Sequence, residues 1–319
     1  DFDGRYLPDG QIVFLSTRRG QHVQCTKATA TETLGQDLPD CFVRCGGGPE
    51  RPCSVHTLHV MDGSGGDLRP LSPFEMYEYT PSVDHDGRIL YARWDYVDRF
   101  RVPCISLWST MPDGSSPQEV FGNYLPRNPH CVFEARAIPN SHKLIFTASA
   151  HHSITGGSLV LLDVSKGRNS ERAMTRLTPE IPFPESEGWA ESYFANPFPL
   201  SEEHYVLAWS DQPLATYPGV NAANALGLYL FDTFGNLNLI YRDPDISSQN
   251  PLPVRPRPQP SRFSTRVAWE GPQEGLVLLS SVYQGLDLVQ YGSVRRLRIV
   301  GVPPKTDPRM NNPVMGMTG

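Results

Sequence analysis

Two short phrases alternate along this sequence, and that alternation limits the fold more than any other feature. The first phrase is an Asp/Asn–Gly-type turn followed by an apolar strand, x-D-G-(R/Q)-I-(V/L)-(F/Y). It appears as Leu7-Pro-Asp-Gly-Gln-Ile-Val-Phe-Leu-Ser-Thr17 and as Asp84-His-Asp-Gly-Arg-Ile-Leu-Tyr-Ala-Arg-Trp94, with weaker copies at 139–149 and 199–210. The second phrase is strand, Asp/Gly turn, strand. It follows each copy at 58–71, at 107–114, at 159–163 with 175–178, and at 228–240. Asp-Gly pairs supply the positive φ that tight hairpin turns require. One pair of phrases therefore makes one four-stranded antiparallel unit.

A single unit of this kind cannot bury both faces. Radial stacking buries them and leaves only short edges, so the sequence predicts an all-β fold, a β-propeller of four-stranded blades. A two-sheet sandwich fits less well, because it needs no repeated phrase. Blades are expected near 1–72, 79–122, 131–178, 192–242 and 262–300, which makes five. Missing upstream residues would complete six or seven. The expected domain is 1–300, and 301–319 is read as a Pro/Asn/Gly/Met-rich tail or a linker to a further domain. The 31 prolines and 27 glycines are spread along the chain, as many short strands and turns demand. Pro251 to Pro260 reads as a polyproline II connector into the last blade.

Charge and hydropathy exclude two classes of partner. The formal net charge is −6 with no basic run, so no nucleic-acid footprint is present. No apolar stretch approaches the ~20 residues of a membrane-spanning helix. The six cysteines are Cys25, Cys41, Cys45, Cys53, Cys104 and Cys131, four of them inside a Gly/Pro-rich insertion. So little apolar content cannot hold a loop by burial, which favours disulfides. Thiolate metal ligation with His22 or His56, and free thiols, are the alternatives. The Cys-x3-Cys-x7-Cys spacing is not a standard zinc pattern, and no Cys-x-x-Cys-His occurs, so no haem is held covalently by that route.

Several of these runs resemble a known family in order along nearly the whole chain. They are Asp84 to Arg99, Ala135-Arg-Ala-Ile-Pro139, Ser149-Ala-His-His152, Gly157 to Asp163, Phe194 to Ser201, Leu228 to Asn236, and Val282-Tyr-Gln-Gly285 with Gly292 to Arg298. Together they are similar to the hydrazine synthase alpha-subunit middle-domain family. That resemblance implies a TolB-like propeller in an exported (periplasmic, cell-surface or secreted) protein. It also implies c-type haem in the parent chain or a partner, and other subunits or domains as binding partners. If the protein is enzymatic, the resemblance implies an oxidoreductase within a larger multihaem redox assembly. The alternative is a non-catalytic binding or assembly propeller at the cell surface. Arg18-Arg19-Gly20 stands where relatives carry a cysteine, and fold likeness alone does not transfer an activity.

Candidate chemistry falls at strand ends, where loops carry function. Arg93, Trp94, Tyr96 and Asp98 place charges beside aromatics, either as a pocket or partner contact or as a network that pins a blade corner. Arg136 belongs to the same candidate group. His151 and His152 lie just past a strand. On a strand, neighbouring side chains point to opposite faces, so the two serve one metal only where a loop relaxes that alternation; structural hydrogen bonding or solvent exposure is favoured over a metal or haem-edge contact. Glu185, Glu187, Glu191 and Asp211 could form a carboxylate pair only across a cleft. Asp-rich turns offer oxygen donors of the kind calcium takes, at spacings that match no defined calcium loop.

Overall fold

The computed structural model describes residues 1–20, 53–74, 76–94, 104–125, 128–153, 155–215, 221–272 and 274–299, with backbone alone at 22–23 and 53. It is all-β, with four consecutive four-stranded antiparallel units. The first unit contains β1 (Phe2–Tyr6) and β2 (Ile12–Ser16). A two-stranded ladder of β3 (His22–Val23) and β4 (Cys53–Ser54) lies at the insertion, and the unit resumes with β5 (Thr57–Met61) and β6 (Arg69–Pro70). The second is β7 (Glu78–Val83), β8 (Ile89–Trp94), β9 (Ile105–Thr110) and β10 (Gln118–Phe121). The third is β11 (Cys131–Ala137), β12 (Leu144–Ser149), β13 (Gly157–Leu162) and β14 (Met174–Arg176). The fourth is β15 (Tyr193–Pro199), β16 (His204–Ser210), β17 (Gly227–Asp232) and β18 (Leu237–Tyr241). Single-residue bridges, Ile105 to Cys131 and Gly157 to Phe194, link units two to four. Two short 3-10 turns, Val164–Lys166 and Glu171–Ala173, are the helical segments among the described residues. No helix there is long and apolar enough to cross a membrane.

The strand period explains how the units stack. On β12, Leu144, Phe146 and Ala148 join a core with Leu90, Leu107 and Phe121 of the second unit. Ile145, on the opposite face, joins Phe194, Tyr205, Leu207 and Phe231 of the fourth unit. Units one and two share a core of Val13, Leu15, Leu58, Val60, Ile89 and Tyr91. The cores thus lie between neighbouring sheets, and every residue of β12 is buried. Burying one such Leu, Ile or Phe contributes about 1.5–3 kcal/mol. The outermost strands are exposed, as β18 shows with four of its five residues open to solvent.

The Asp/Gly turns form as the repeated phrase predicts. Gly10, Gly87, Gly114 and Gly235 all have positive φ, and each closes a turn by donating its N–H to the carbonyl three residues earlier. Asn140 takes the same left-handed conformation in the third unit.

The expected fifth blade at 262–300 is corrected. Described residues 242–299 contain no strand, so four sheet units stand where five were read. The strand-like run Leu276-Val277-Leu278-Leu279 is 103%, 65%, 94% and 49% exposed, and no packed neighbour turns its apolar content into a ladder. The segment after the proline-rich stretch returns instead to the first two units. Gln259 Nε2 donates to the Pro8 carbonyl, the Arg266 N–H donates to Asp113 Oδ2 at 2.7 Å, and Arg69 stacks over Trp269 at 5.3 Å. The expected tail at 301–319 lies outside the described residues.

Candidate functional site

The first strand of every unit carries a β-bulge at the same place. Register shifts fall between Phe2 and Arg5, Tyr79 and Ser82, Phe133 and Arg136, and Ala195 and Phe198. Inside each bulge one residue takes a left-handed φ: Asp3 (56°), Thr80 (47°), Glu134 (57°) and Asn196 (50°). Bulges re-aim side chains and often border functional sites. Non-glycine residues at such φ persist only where their surroundings hold them.

Hydrogen bonds from one unit to the next supply that hold. The Glu134 N–H donates to Thr80 Oγ1 at 3.0 Å. The Asn196 N–H donates to Glu134 Oε2 at 2.6 Å, and Asn196 Nδ2 donates to Oε1. Thr147 Oγ1 completes the Glu134 carboxylate at 2.8 Å. The Asn250 N–H then donates to Asn196 Oδ1 at 3.2 Å, and Asn250 itself has φ 51°. Asn250-Pro251-Leu252-Pro253 thereby resembles Asn196-Pro197-Phe198-Pro199 in sequence, in the φ of its Asn and in the N–H bond to the preceding unit. Asn250 lies in no strand, so it shares the φ of the bulge residues and not a bulge.

These first strands enclose a cavity of about 460 Å³ lined by Asp3, Arg5, Thr80, Glu134, Arg136 and Asn196, among others. Its charges are perturbed. Burial raises the Asp3 carboxyl despite Arg5 at 2.6 Å and the more distant Arg136. Burial also raises Glu134, against the hydrogen bonds of Thr147 and Asn196. Arg136 is lowered to about 10, first by burial and then by Arg5. Glu134 is engaged on both oxygens and Asp3 is paired with Arg5. The Arg136 guanidinium lies over the Phe198 ring at 5.5 Å, feels the charges of Glu134 and Asp3, and makes no hydrogen bond among the described residues. A concave polar pocket with shifted titratable groups and, among the described residues, an arginine that makes no hydrogen bond is suited to holding an anionic group.

The other candidates divide between structure and a second cluster. Arg93 lies opposite Glu78 in register, with its guanidinium 3.3 Å from the Phe74 ring centroid and 4.4 Å from that of Trp108. Glu78 is buried, and burial pushes its carboxyl up to about 7 against hydrogen bonds from Ser72 Oγ (2.6 Å) and the Leu58 N–H (2.7 Å). This group pins the corner of the second unit. Tyr96 and Asp98 lie outside the described residues, as do Cys25, Cys41 and Cys45, and only the backbone of Cys53 is described. Cys131 is buried and Cys104 half-buried, one residue before Cys131's strand partner Ile105. The Asp62, Asp113, Asp163 and Asp232 carboxylates, in the turns considered for calcium, each accept hydrogen bonds from their own turns. Glu187 pairs with Arg176, and Asp211 with Arg242.

Trp94 and the histidine pair do meet. The buried His151 ring packs edge-on against Trp94 at 5.0 Å, and its centroid is 4.1 Å from that of His152. The strand alternation that would point these neighbours apart is relaxed here, because they lie in a bend past the end of β12. Glu185, with φ 66°, binds them together. Its Oε2 accepts the N–H groups of His151 (2.6 Å) and His152 (3.1 Å), and its Oε1 lies 2.7 Å from His152 Nδ1. Burial opposes the Glu185 charge, but the facing His130 and His152 and the His152 N–H outweigh it and hold the carboxyl well below the usual range. The bulge ring was missed in the sequence because its residue types differ from unit to unit. A signal was present: each bulge residue precedes the first residue of its turn (Leu7, Asp84, Ile138 or Leu200) by four positions.

Comparison with known proteins identifies the fold and goes no further. No protein-family model matches the sequence, and no curated protein matches it. Among solved structures, hydrazine synthase from Kuenenia stuttgartiensis superposes with a TM-score of 0.56 at 14% identity, covering 80% of this chain. This chain spans 30% of that protein. A puromycin hydrolase (TM-score 0.41, 16% identity, 74% of this chain and 30% of that one) and TolB from Acinetobacter baumannii (0.35, 13%, 60% and 39%) superpose too weakly to argue from.

Proposed function

We propose that this chain is a propeller-type binding scaffold whose central cavity holds an anionic group of a partner molecule on Arg136. The observation that carries this reading is the Arg136 guanidinium, which lines the cavity and makes no hydrogen bond among the described residues, beside a series of N–H to side-chain bonds that runs from Thr80 to Asn250 and fixes part of the pocket wall. Charge-assisted bonds to carboxylate or phosphate are the strong interactions available to such a group. The family resemblance of the motifs and the fold likeness to hydrazine synthase support a further reading of the partner. In that reading the scaffold sits outside the cytoplasm and belongs to a redox assembly whose c-type haem is held by a partner or by another part of the parent chain.

The test is purification of the native full-length protein, wild type and Arg136→Ala, with absorption followed in the Soret region. Co-elution of haem with the wild type and its loss from the variant are expected. A colourless wild-type preparation would overturn the haem-associated reading. Calorimetric titration with inorganic phosphate and with succinate tests the pocket itself. Wild-type and Arg136→Ala proteins that bind both equally, or not at all, would overturn the anion-binding reading.

A further inference from the structure

We infer that His151, His152 and Glu185 form a divalent-metal site, with zinc the best-fitting ion. One ligand atom from each residue, two imidazole nitrogens and one carboxylate oxygen, lies within 4.8 Å of the others. The His151 and His152 Nδ1 atoms face one another at 3.3 Å. That is the edge of a tetrahedron whose metal–nitrogen bonds are about 2.0–2.1 Å long. Glu185 Oε1 stands 2.7 Å from His152 Nδ1, so a shift of a few tenths of an ångström would bring it to the same kind of separation.

The surroundings point the same way. Glu185 is fixed by its other oxygen: Oε2 accepts both main-chain N–H groups of the histidine pair, which leaves Oε1 turned toward the two ring nitrogens. The His151 ring is fixed by packing on Trp94. His130 Nδ1 is buried with no hydrogen bond and faces Glu185 Oε2 at 3.7 Å, placed to support the carboxylate from behind. Imidazole and carboxylate donors suit zinc among the common divalent ions. Three protein ligands leave a fourth position open, and His152, the exposed member of the pair, marks the side from which solvent or a ligand would reach it.

The test uses the full chain with zinc or cobalt(II) chloride alone. Wild type is expected to bind one equivalent of zinc at this site, and His152→Ala and Glu185→Gln to weaken that binding at least tenfold. His152 is exposed, so its substitution spares the fold. An unchanged circular dichroism spectrum and an unchanged melting temperature without metal would confirm that. Cobalt(II) should give visible d–d bands without thiolate charge-transfer bands, which separates this site from the cysteines. Undiminished binding in both variants, a thiolate signature alone, or no binding by wild type would overturn the inference.

Discussion

The Asn196 N–H lies 2.6 Å from Glu134 Oε2, so the backbone bulge of the fourth sheet is held by a side chain of the third. A carboxylate with all its acceptors used inside the protein is costly to remove, because the donors it satisfied stay buried. Glu134→Ala is expected to lower stability by about 2–3 kcal/mol in urea denaturation. Glu134→Gln, which keeps the shape and an acceptor, should lose less. Equal losses for the two variants would mean that shape and a single acceptor recover nothing, and that the bonds need both carboxylate oxygens.

Glu78 carries the prediction for pH. Its folded carboxyl titrates near 7, above the ordinary 4.5, so between these values the folded state holds a proton that the unfolded state has released. Stability from this group is full below about 4.5 and is lost as pH rises through about 7. The loss is at most about 3 kcal/mol. The difference in stability between wild type and Glu78→Gln, measured from pH 4 to 8, should move in favour of the variant as pH rises. A difference that stays flat would place Glu78 in an ordinary environment.

Gly87 and Gly10 separate the cost of a turn from the cost of a contact. Both have positive φ, at 86° and 93°. An added Cβ at Gly10 meets nothing within 4 Å, whereas at Gly87 it would lie 2.1 Å from the Ser261 carbonyl oxygen. Gly10→Ala should therefore cost about 1 kcal/mol in strain alone. Gly87→Ala should cost more and should also raise protease sensitivity around 259–269, the segment that crosses the first two units. Equal effects of the two substitutions would count against that crossing.

Arg93 lies against two aromatic rings, which a planar guanidinium can do and an ammonium cannot. Arg93→Lys retains the charge beside Glu78 and should still cost about 1 kcal/mol in thermal or urea unfolding. A neutral substitution would show that charge, and not stacking, is what the corner requires.

Most of the strand order was legible in the sequence, because an Asp-Gly turn ahead of Ile-Leu-Tyr states both a backbone conformation and a burial pattern in adjacent residues. The first four units follow those phrases closely. The fifth does not: Leu276 to Leu279 has strand composition, but composition cannot say whether a neighbour exists to pack against. The histidine pair was legible as chemistry, but its geometry depends on where β12 stops, since the alternation of strand side chains ends there. Arg136 was singled out, but the bulges that aim it depend on backbone torsion. They are occupied in turn by Asp3, Thr80, Glu134 and Asn196, four different residue types.

The placement of the apolar cores has a consequence for dissection of the molecule. Each is jointly owned, one half from either side of a seam, so excising one sheet would strip its neighbours of their cover as well. A cut through a seam exposes two greasy faces at once and invites clumping, whereas a cut in the outer loops leaves the seams closed. Fragments of this protein are therefore best chosen by where its seams run, and the second and third units, each with a seam on either side, are the least able to stand alone.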